Sequence, residues 1–253
     1  MIDSTSIKYQ YERDGVAHIP EVFQKYEMDN LRLSALYGLG HSSHDAKYTS
    51  GDRVQEISAA GQTFPAIHFW PSVSSLEMEV VRQDHRIKAI VQAILGDDVK
   101  QLNNQLYYRM PGDGDCFDWH QDCVFRKGMT DGFDPMTDYL QTIITVDPMH
   151  HANGGLCFKP GAYKLGDQAF DRESLRSDPD PESLTGAINT SSGDMVIWNA
   201  YTPHASPKNE TSYPRMTYMN GYARADACLE GVWPDYLVGG QSAEVDTATI
   251  PYK

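Results

Sequence analysis

The sequence predicts a mainly β domain with helices packed against it. Helical patterns come early in the chain, and strand patterns separated by turns fill most of it from Lys100 onward. Helices that precede a run of strands are typical of an α+β or β-barrel-like domain. The composition agrees with this, because 15 Tyr and 8 Phe with 20 Gly and 14 Pro favour strands and turns over a helical bundle.

The N-terminal part predicts one strand and two helices. Residues 16–20 form a short apolar stretch that predicts a strand, and residues 25–39 carry Leu and Tyr at helical spacing. Asp84 is placed to cap a second helix, whose apolar face recurs up to Leu95, and Gly96 is placed to end it.

Two segments are predicted to be loops. Residues 40–63 are polar and rich in Ser, His and Gly, which indicates a long irregular loop. Residues 125–138 follow the candidate site described below and carry several glycines and a proline. We expect both loops to flank the mouth of the barrel and to gate it.

The period of the apolar pattern changes from about 3.6 to 2 near Lys100, which predicts strands from there on. Asn103, Gln105 and Tyr107 are expected to share one strand face. Turns rich in Gly, Asn and Pro separate further predicted strands, which cover residues 141–146, 156–159, 194–199 and 215–223. No repeat or linker interrupts the pattern, so residues 1–253 are predicted to form a single domain.

Charge and cysteine usage limit the possible partners and the compartment. The formal net charge of −14 argues against nucleic acid and against an anionic membrane surface. The sequence shows neither a secretory signal nor a membrane-spanning apolar run. Its four cysteines contain no C-x-x-C pair, which favours a cytoplasmic protein with reduced thiols; they are Cys116, Cys123, Cys157 and Cys228.

The candidate site consists of His120, Asp122, His204 and Arg215. Two imidazoles and a carboxylate can bind three positions on one face of Fe(II), which leaves three positions for a co-substrate and O₂. The His-x-Asp triplet alone is a weak signal, because many loops contain it by chance. The guanidinium of Arg215 can bind a carboxylate through two parallel hydrogen bonds, which suits a dicarboxylate co-substrate.

The sequence around His204 strengthens this interpretation. Residues 193–198 are typical of a turn that enters a buried strand, His204 follows, and Arg215 opens the next apolar strand after a polar loop. An unpaired charge at the start of an apolar strand would be costly, and a bound carboxylate would relieve that cost. Thr217 is expected on the same face as Arg215 and could add a hydroxyl.

Several ordered motifs resemble the phytanoyl-CoA dioxygenase (PhyH-like) family of Fe(II)- and 2-oxoglutarate-dependent oxygenases. The resemblance covers nearly the whole chain and is strongest over residues 193–224. Its motifs are Tyr11-Glu12-Arg13-Asp14-Gly15-Val16-Ala17-His18-Ile19-Pro20, Met110-Pro111-Gly112, Trp119-His120-Gln121-Asp122, Asn153-Gly154-Gly155-Leu156 and Lys159-Pro160-Gly161-Ala162-Tyr163-Lys164. In the last motif, Ala162-Tyr163 stands where the family usually has Ser-His.

The resemblance implies a double-stranded β-helix, or jelly roll, and a reaction. His120, Asp122 and His204 would bind Fe(II), and Arg215 would hold the far carboxylate of 2-oxoglutarate. The polar residues implied to assist it are Gln105, Gln141 and Thr217. The expected reaction is hydroxylation of a small molecule by O₂, with release of succinate and CO₂. Related halogenases lack the metal carboxylate, so Asp122 favours hydroxylation.

Two rival functions are compatible with parts of this pattern. A cupin-type hydrolase or isomerase could use the same three ligands to hold Zn(II) or Mn(II), and a metal-free jelly roll could be a binding protein. Arg215 argues against the first, and the retention of all four residues argues against the second. Neither Trp119 nor Trp198 is expected to do more than pack in the core.

Overall fold

The computed structural model describes residues 3–41, 53–59, 62–73, 75–112, 117–126, 132–169 and 188–227. Four α-helices precede or flank the strands: α1 (Ser4–Asp14), α2 (Lys25–His41), α3 (Leu76–Arg82) and α4 (His85–Leu95). The ten strands are β1 (Val16–Ile19), β2 (Arg53–Ala59), β3 (Gln62–Phe69), β4 (Val99–Arg109), β5 (Phe117–His120), β6 (Tyr139–Thr145), β7 (Cys157–Phe158), β8 (Met195–Asn199), β9 (His204–Ser206) and β10 (Arg215–Arg224).

The strands form two antiparallel sheets. A seven-stranded sheet has the order β1-β8-β6-β10-β4-β3-β2, and a three-stranded sheet has the order β5-β9-β7. Phe158 and His204 of the small sheet contact the ring of Trp198 in the large sheet, so the two sheets face each other. Two facing sheets with this crossed strand order form a jelly roll, which confirms the predicted double-stranded β-helix.

The outer face of the large sheet packs against the helices. Alternate residues on β4, β6, β8 and β10 point to this face, as the two-residue period of a strand requires. Together with apolar side chains of all four helices they form the largest buried cluster, which includes Tyr11, Leu31, Met78, Ile90, Leu106, Leu140, Ile144, Ile197, Met216 and Tyr218. The inner face of the same sheet is left for the site.

The predicted second helix is confirmed as α4. The carboxylate of Asp84 accepts a hydrogen bond from the backbone N–H of Arg86 at 2.8 Å, which satisfies a free donor in the first turn. Ile87, Ile90 and Val91 are buried on one face of the helix, and Gly96 follows its end. The strand of residues 16–20 and the helix of residues 25–39 are confirmed as β1 and α2.

The prediction of an irregular loop over residues 40–63 is wrong in part. Residues 53–59 form β2 and pair as an antiparallel hairpin with β3, which extends the large sheet by two strands. The sequence pattern does not reveal β2 because β2 is an edge strand, and an edge strand needs no continuous apolar run. Residues 42–52 and 60–61 lie outside the described residues.

The second predicted loop, residues 125–138, is packed in its C-terminal half. Phe133 and Asp138 are buried, and the carboxylate of Asp138 accepts the backbone N–H of Asp134 at 3.0 Å. This half contributes to the core instead of forming a free lid, and residues 127–131 lie outside the described residues.

Across the described chain, the helices lack the length and apolarity that a membrane crossing requires.

Candidate active site

The structure brings His120, Asp122 and His204 together at one end of the small sheet. His120 ends β5, His204 begins β9, and the two residues are cross-strand partners. Their rings lie 4.2 Å apart between centroids. Asp122 begins a short 3₁₀ turn directly after β5, and one ligand atom from each of the three residues lies within 4.8 Å of the others.

Backbone carbonyls orient both histidines. Nδ1 of His120 lies 2.7 Å from the carbonyl oxygen of Asp118, and Nδ1 of His204 lies 2.9 Å from that of Thr202. Since a carbonyl can only accept, each Nδ1 carries the proton and each Nε2 keeps its lone pair. Both Nε2 atoms are near the carboxylate of Asp122, at 3.9 Å for His120 and 3.8 Å for His204. This arrangement fixes the tautomer that a metal ligand needs.

Burial also keeps His204 neutral. Its pKa is lowered to about 4, chiefly because the ring is desolvated and also because His120 lies beside it. A neutral imidazole is the form that binds a metal ion. The donor set of two neutral imidazoles and one carboxylate therefore fits Fe(II), and it leaves positions open for other ligands.

Gln121 explains why its two neighbours point into the site. Its side chain is buried on the opposite side, where Nε2 donates to the carbonyl oxygen of Tyr201 at 2.7 Å and to that of Gly166 at 3.2 Å. Successive extended residues point to opposite faces, so anchoring Gln121 directs His120 and Asp122 together toward the other face.

Trp198 is a site residue that the sequence interpretation missed. Its indole N–H donates to Oδ2 of Asp122 at 2.9 Å, and its ring lies 5.4 Å from that of His204. The interpretation assigned Trp198 to core packing alone, because an apolar run such as Met195–Asn199 gives no sign that one of its members binds a polar group. The packing of the two sheets against each other creates the contact.

Arg215 is buried among hydrogen-bond acceptors next to the cluster of His120, Asp122 and His204. It is 3 % exposed and donates to the carbonyl oxygens of Asn153 and Gly154 and to the hydroxyls of Thr217 and Ser206. Thr217 therefore lies on the face predicted for it. Ser206 comes two residues after His204 on β9, so the guanidinium lies about 7 Å along that strand from His204.

Gly154 makes this arrangement of groups around the Arg215 guanidinium possible. Its backbone has φ +76°, and a Cβ at this position would lie 2.6 Å from the carbonyl oxygen of Pro207. The same position is close to two guanidinium groups, those of Arg215 and Arg109. Arg109 is the cross-strand partner of Arg215 and is equally buried, and it is a second residue that sequence reasoning missed.

The predicted polar residues Gln105 and Gln141 also lie on the inner face of the large sheet. Oε1 of Gln105 accepts from the hydroxyl of Tyr107 and from Nδ2 of Asn103, both at 3.1 Å. Oε1 of Gln141 accepts from the Tyr139 hydroxyl, while its Nε2 is buried with no hydrogen-bond partner among the described residues. A buried donor without a partner is costly, so Gln141 has a free donor for a ligand.

Exposed aromatic rings mark the mouth of the site. The ring of Phe125 is 61 % exposed and meets the ring of His120 edge to face at 6.4 Å. Phe117 is 36 % exposed and meets Tyr107 on the inner face of the large sheet at 5.7 Å. The site is therefore open to solvent beside His120 and closed beside His204, which is 3 % exposed.

Comparison with known proteins now identifies the family. The model of the phytanoyl-CoA dioxygenase (PhyH) family matches residues 11–217. The chain belongs to the PhyH family. The predicted family, and with it the predicted enzyme class of Fe(II)- and 2-oxoglutarate-dependent dioxygenases, is thereby confirmed. The match includes every residue of the candidate site.

Two curated relatives of this PhyH-family protein are a hydroxylase and a dioxygenase by name. A methylphosphonate hydroxylase of Gimesia maris is 26% identical over 140 residues, which cover 55% of this chain and 50% of that protein. An ectoine dioxygenase of Halomonas elongata is 24% identical over 245 residues, which cover 87% of this chain and 70% of that protein. The matched region thus spans half of the first relative's length and somewhat more than two thirds of the second's.

Solved structures share the fold. The apo form of EctD from S. alaskensis superposes with a TM-score of 0.71 at 22% identity, covering 90% of this chain and 79% of that one. EctD has also been solved with bound Fe, and separately with 2-oxoglutarate and 5-hydroxyectoine. The epimerase SnoN of nogalamycin biosynthesis gives a TM-score of 0.66 at 18% identity, covering 88% and 81% of the two chains.

Proposed function

We propose that this protein is an Fe(II)- and 2-oxoglutarate-dependent oxygenase that hydroxylates an unactivated C–H bond of a small molecule. Iron with 2-oxoglutarate and O₂ would supply the oxidation: one oxygen atom enters the C–H bond, the other enters succinate, and CO₂ is released. The protein's own part is to bind, orient and shield the reactants. We place this reaction in the cytoplasm, as the sequence predicts.

The observation that carries the proposal is the convergence of His120, Asp122 and His204. Their ligand atoms meet within 4.8 Å, and both imidazoles have the tautomer that directs a lone pair inward. We assign all three to Fe(II) and expect them to be essential for catalysis. The family match and the bound Fe in the structurally similar EctD support this choice of metal over the Zn(II) or Mn(II) of a hydrolase.

We assign the far carboxylate of 2-oxoglutarate to Arg215. The guanidinium is buried beside the hydroxyl of Thr217, which could donate to the same carboxylate. A buried arginine binds a carboxylate with charge-assisted hydrogen bonds that are about twice as strong as neutral ones. We assign Gln105 to the same ligand because its strand, β4, pairs directly with the strand that carries Arg215 and Thr217.

We propose that Gln141 contacts the substrate, although the resemblance assigned it to 2-oxoglutarate. Gln141 pairs with Gly221, six residues after Arg215 on β10, which corresponds to about 20 Å of strand. On its other side it pairs with Trp198, which contacts Asp122. The metal ligands therefore lie between Arg215 and Gln141, and the free amide N–H₂ of Gln141 is suited to a substrate oxygen.

The substrate is proposed to be a small polar metabolite that carries such an oxygen. The names of the two curated relatives, a methylphosphonate hydroxylase and an ectoine dioxygenase, give a first pair of candidates of this kind. Arg126 comes four residues after Asp122, its guanidinium lies 5.0 Å from the centre of the Tyr139 ring, and it would suit an anionic group.

Oxygen consumption tests the proposed function directly. Protein loaded with Fe(II) under nitrogen is given 2-oxoglutarate, a panel of polar metabolites and air, while O₂, succinate and product are measured. We expect consumption of O₂ that requires 2-oxoglutarate, with succinate and hydroxylated product formed in equal amounts. A protein that turns a substrate over with Zn(II) and without O₂ would be a hydrolase or isomerase, and one that binds no metal would be a binding protein.

Two conservative substitutions separate the two ligand sites. Thr217→Val removes a hydroxyl beside Arg215, and we expect it to raise the KM for 2-oxoglutarate while leaving the KM for the substrate. Gln141→Leu removes the free amide, and we expect the reverse. If Gln141→Leu raised the KM for 2-oxoglutarate instead, the original assignment of Gln141 would be correct.

A further inference from the structure

The metal carboxylate is held by a tryptophan from the opposite sheet. The indole N–H of Trp198 donates to Oδ2 of Asp122 at 2.9 Å, and it is the only hydrogen bond that the Asp122 side chain accepts from the described residues. Trp198 is fully buried, so the donor of this bond is shielded from competing water. An indole N–H can only donate, so Oδ2 accepts in this contact.

Trp198 also packs against two rings that contact each other. Its ring lies 5.5 Å from that of Phe158 and 5.4 Å from that of His204, and Phe158 stacks on His204 at 5.8 Å. One side chain therefore contacts two of the three proposed metal ligands. Because the indole is held in place by these contacts and by β8, it holds Asp122 in one orientation.

A carboxylate can bind a metal ion through one oxygen or through both, and this difference matters at this site. An octahedral ion with two imidazoles and one carboxylate oxygen keeps three positions open. A carboxylate that binds through both oxygens takes one of these three. Chelation by 2-oxoglutarate would then fill the remaining two, and O₂ would find none.

We infer that Trp198 is a positioning residue that makes Asp122 bind the metal through a single oxygen. The indole N–H occupies a lone pair of Oδ2, and Oδ1 is then the oxygen with both lone pairs free for the metal. The inference rests on the proposed function, because it takes His120, Asp122 and His204 to be the ligands of Fe(II). It adds a role for a residue that does not itself touch the metal.

Trp198→Phe tests the inference, and the chain offers a matched control. Phenylalanine keeps most of the ring packing but removes the N–H. Trp70 is likewise buried, and its indole N–H makes no hydrogen bond with any residue the structure describes. Trp70, which directly follows β3 of the same sheet, therefore allows the same chemical change without removing a bond to the site.

The readout is metal binding rather than turnover. Mn(II) affinity is measured by the electron paramagnetic resonance of free Mn(II), and the visible spectrum of bound Co(II) reports the number of ligands. We expect Trp198→Phe to weaken Mn(II) binding about 10- to 100-fold, as loss of such a supporting bond commonly does. We also expect its Co(II) spectrum to differ from that of the wild type. Trp70→Phe should match the wild type in both measurements.

A measurement on the unchanged protein covers the case in which Trp198→Phe does not fold. The chain has four tryptophans, and the indole N–H signal of Trp198 can be identified by nuclear magnetic resonance from its contact with the Phe158 ring. Stoichiometric Zn(II) should shift this signal more than that of Trp70. If this signal stayed in place, the inference would be wrong.

The outcomes distinguish the inference from the proposed function. If the wild type bound Mn(II) at one site and Trp198→Phe bound it equally well with an unchanged Co(II) spectrum, Trp198 would only pack, and the assignment of the ligands would stand. If the wild type bound no Mn(II) at His120, Asp122 and His204, both the inference and the proposed function would fail.

Discussion

The large sheet buries an arginine on each of its faces, and the two arginines differ in their partners. On the outer face, Arg82 is 1 % exposed and donates to both carboxylate oxygens of Glu79, at 2.9 and 2.6 Å, and to the amide oxygen of Gln101 at 2.8 Å. On the inner face, Arg215 donates to two backbone carbonyls and two hydroxyls. Arg82 joins α3 to the sheet, whereas Arg215 faces the proposed ligand site.

The difference shows that the two faces of one sheet have different roles: the outer face contributes to stability, and the inner face contributes to function. Side chains on the outer face meet helices, and Arg82 finds its carboxylate and amide partners within the protein. On the inner face, Arg215 lies near the proposed metal ligands and Gln141 keeps a free donor. We therefore expect substitutions on the outer face to lower the free energy of unfolding, and substitutions on the inner face to lower the affinity for ligands.

The largest expected effect belongs to the inner face. His204→Ala should abolish both stoichiometric metal binding and 2-oxoglutarate-dependent O₂ uptake, because it removes one of three ligands. The far-ultraviolet circular dichroism spectrum should match that of the wild type, since the outer core is untouched. Metal analysis, oxygen uptake and the spectrum are compared on the same preparation; full turnover with stoichiometric iron would contradict the assignment.

Arg82→Ala should have the second largest effect, and only on stability. It leaves Glu79 without its ion-pair partner in a buried setting, and breaking such a pair costs roughly 3–5 kcal/mol of the free energy of unfolding. Denaturant unfolding measures this loss. The affinity of the folded fraction for 2-oxoglutarate should stay as in the wild type, and a large loss of that affinity would show that the two faces are not independent.

Arg215→Ala should have its effect on 2-oxoglutarate binding instead of on stability. Removing a buried partner of a carboxylate costs on the order of 2–5 kcal/mol of binding free energy, so 2-oxoglutarate affinity should fall steeply while metal affinity changes little. Arg215→Lys should restore only part of it, because an ammonium group cannot form two parallel hydrogen bonds. Calorimetry with metal-loaded protein measures both variants, and unchanged 2-oxoglutarate binding in Arg215→Ala would exclude the assignment.

The smallest expected effect is the stabilisation that the metal itself provides. A ligand that binds only the folded state at 100 times its Kd adds about 2.7 kcal/mol to the free energy of unfolding. We expect a stabilisation of this order when Mn(II) is added to protein that was treated with a chelator. His120→Ala serves as the control, and a similar stabilisation of that variant would indicate that Mn(II) binds elsewhere.

The sequence alone predicted the parts of the molecule that depend on residues close together in the chain. The cap at Asp84 and the change of period near Lys100 predicted α4 and the start of the strands, and residue spacing with the family motifs predicted the cluster around His120. Features that arise from strand pairing or from the packing of the two sheets were not predictable. The edge strand Arg53–Ala59 has no apolar pattern, and the contact between Trp198 and Asp122 joins residues 76 positions apart.

One titration tests the central claim, which is that 2-oxoglutarate is bound jointly by Arg215 and by a metal ion that His120, Asp122 and His204 hold. 2-Oxoglutarate is titrated under nitrogen into wild-type protein with and without Fe(II), and into Arg215→Ala and Asp122→Ala with Fe(II) present. We predict one tight site per chain in the wild type with Fe(II), and greatly weakened binding in the other three samples. Equally tight binding without Fe(II), or in Arg215→Ala with Fe(II), would contradict the account.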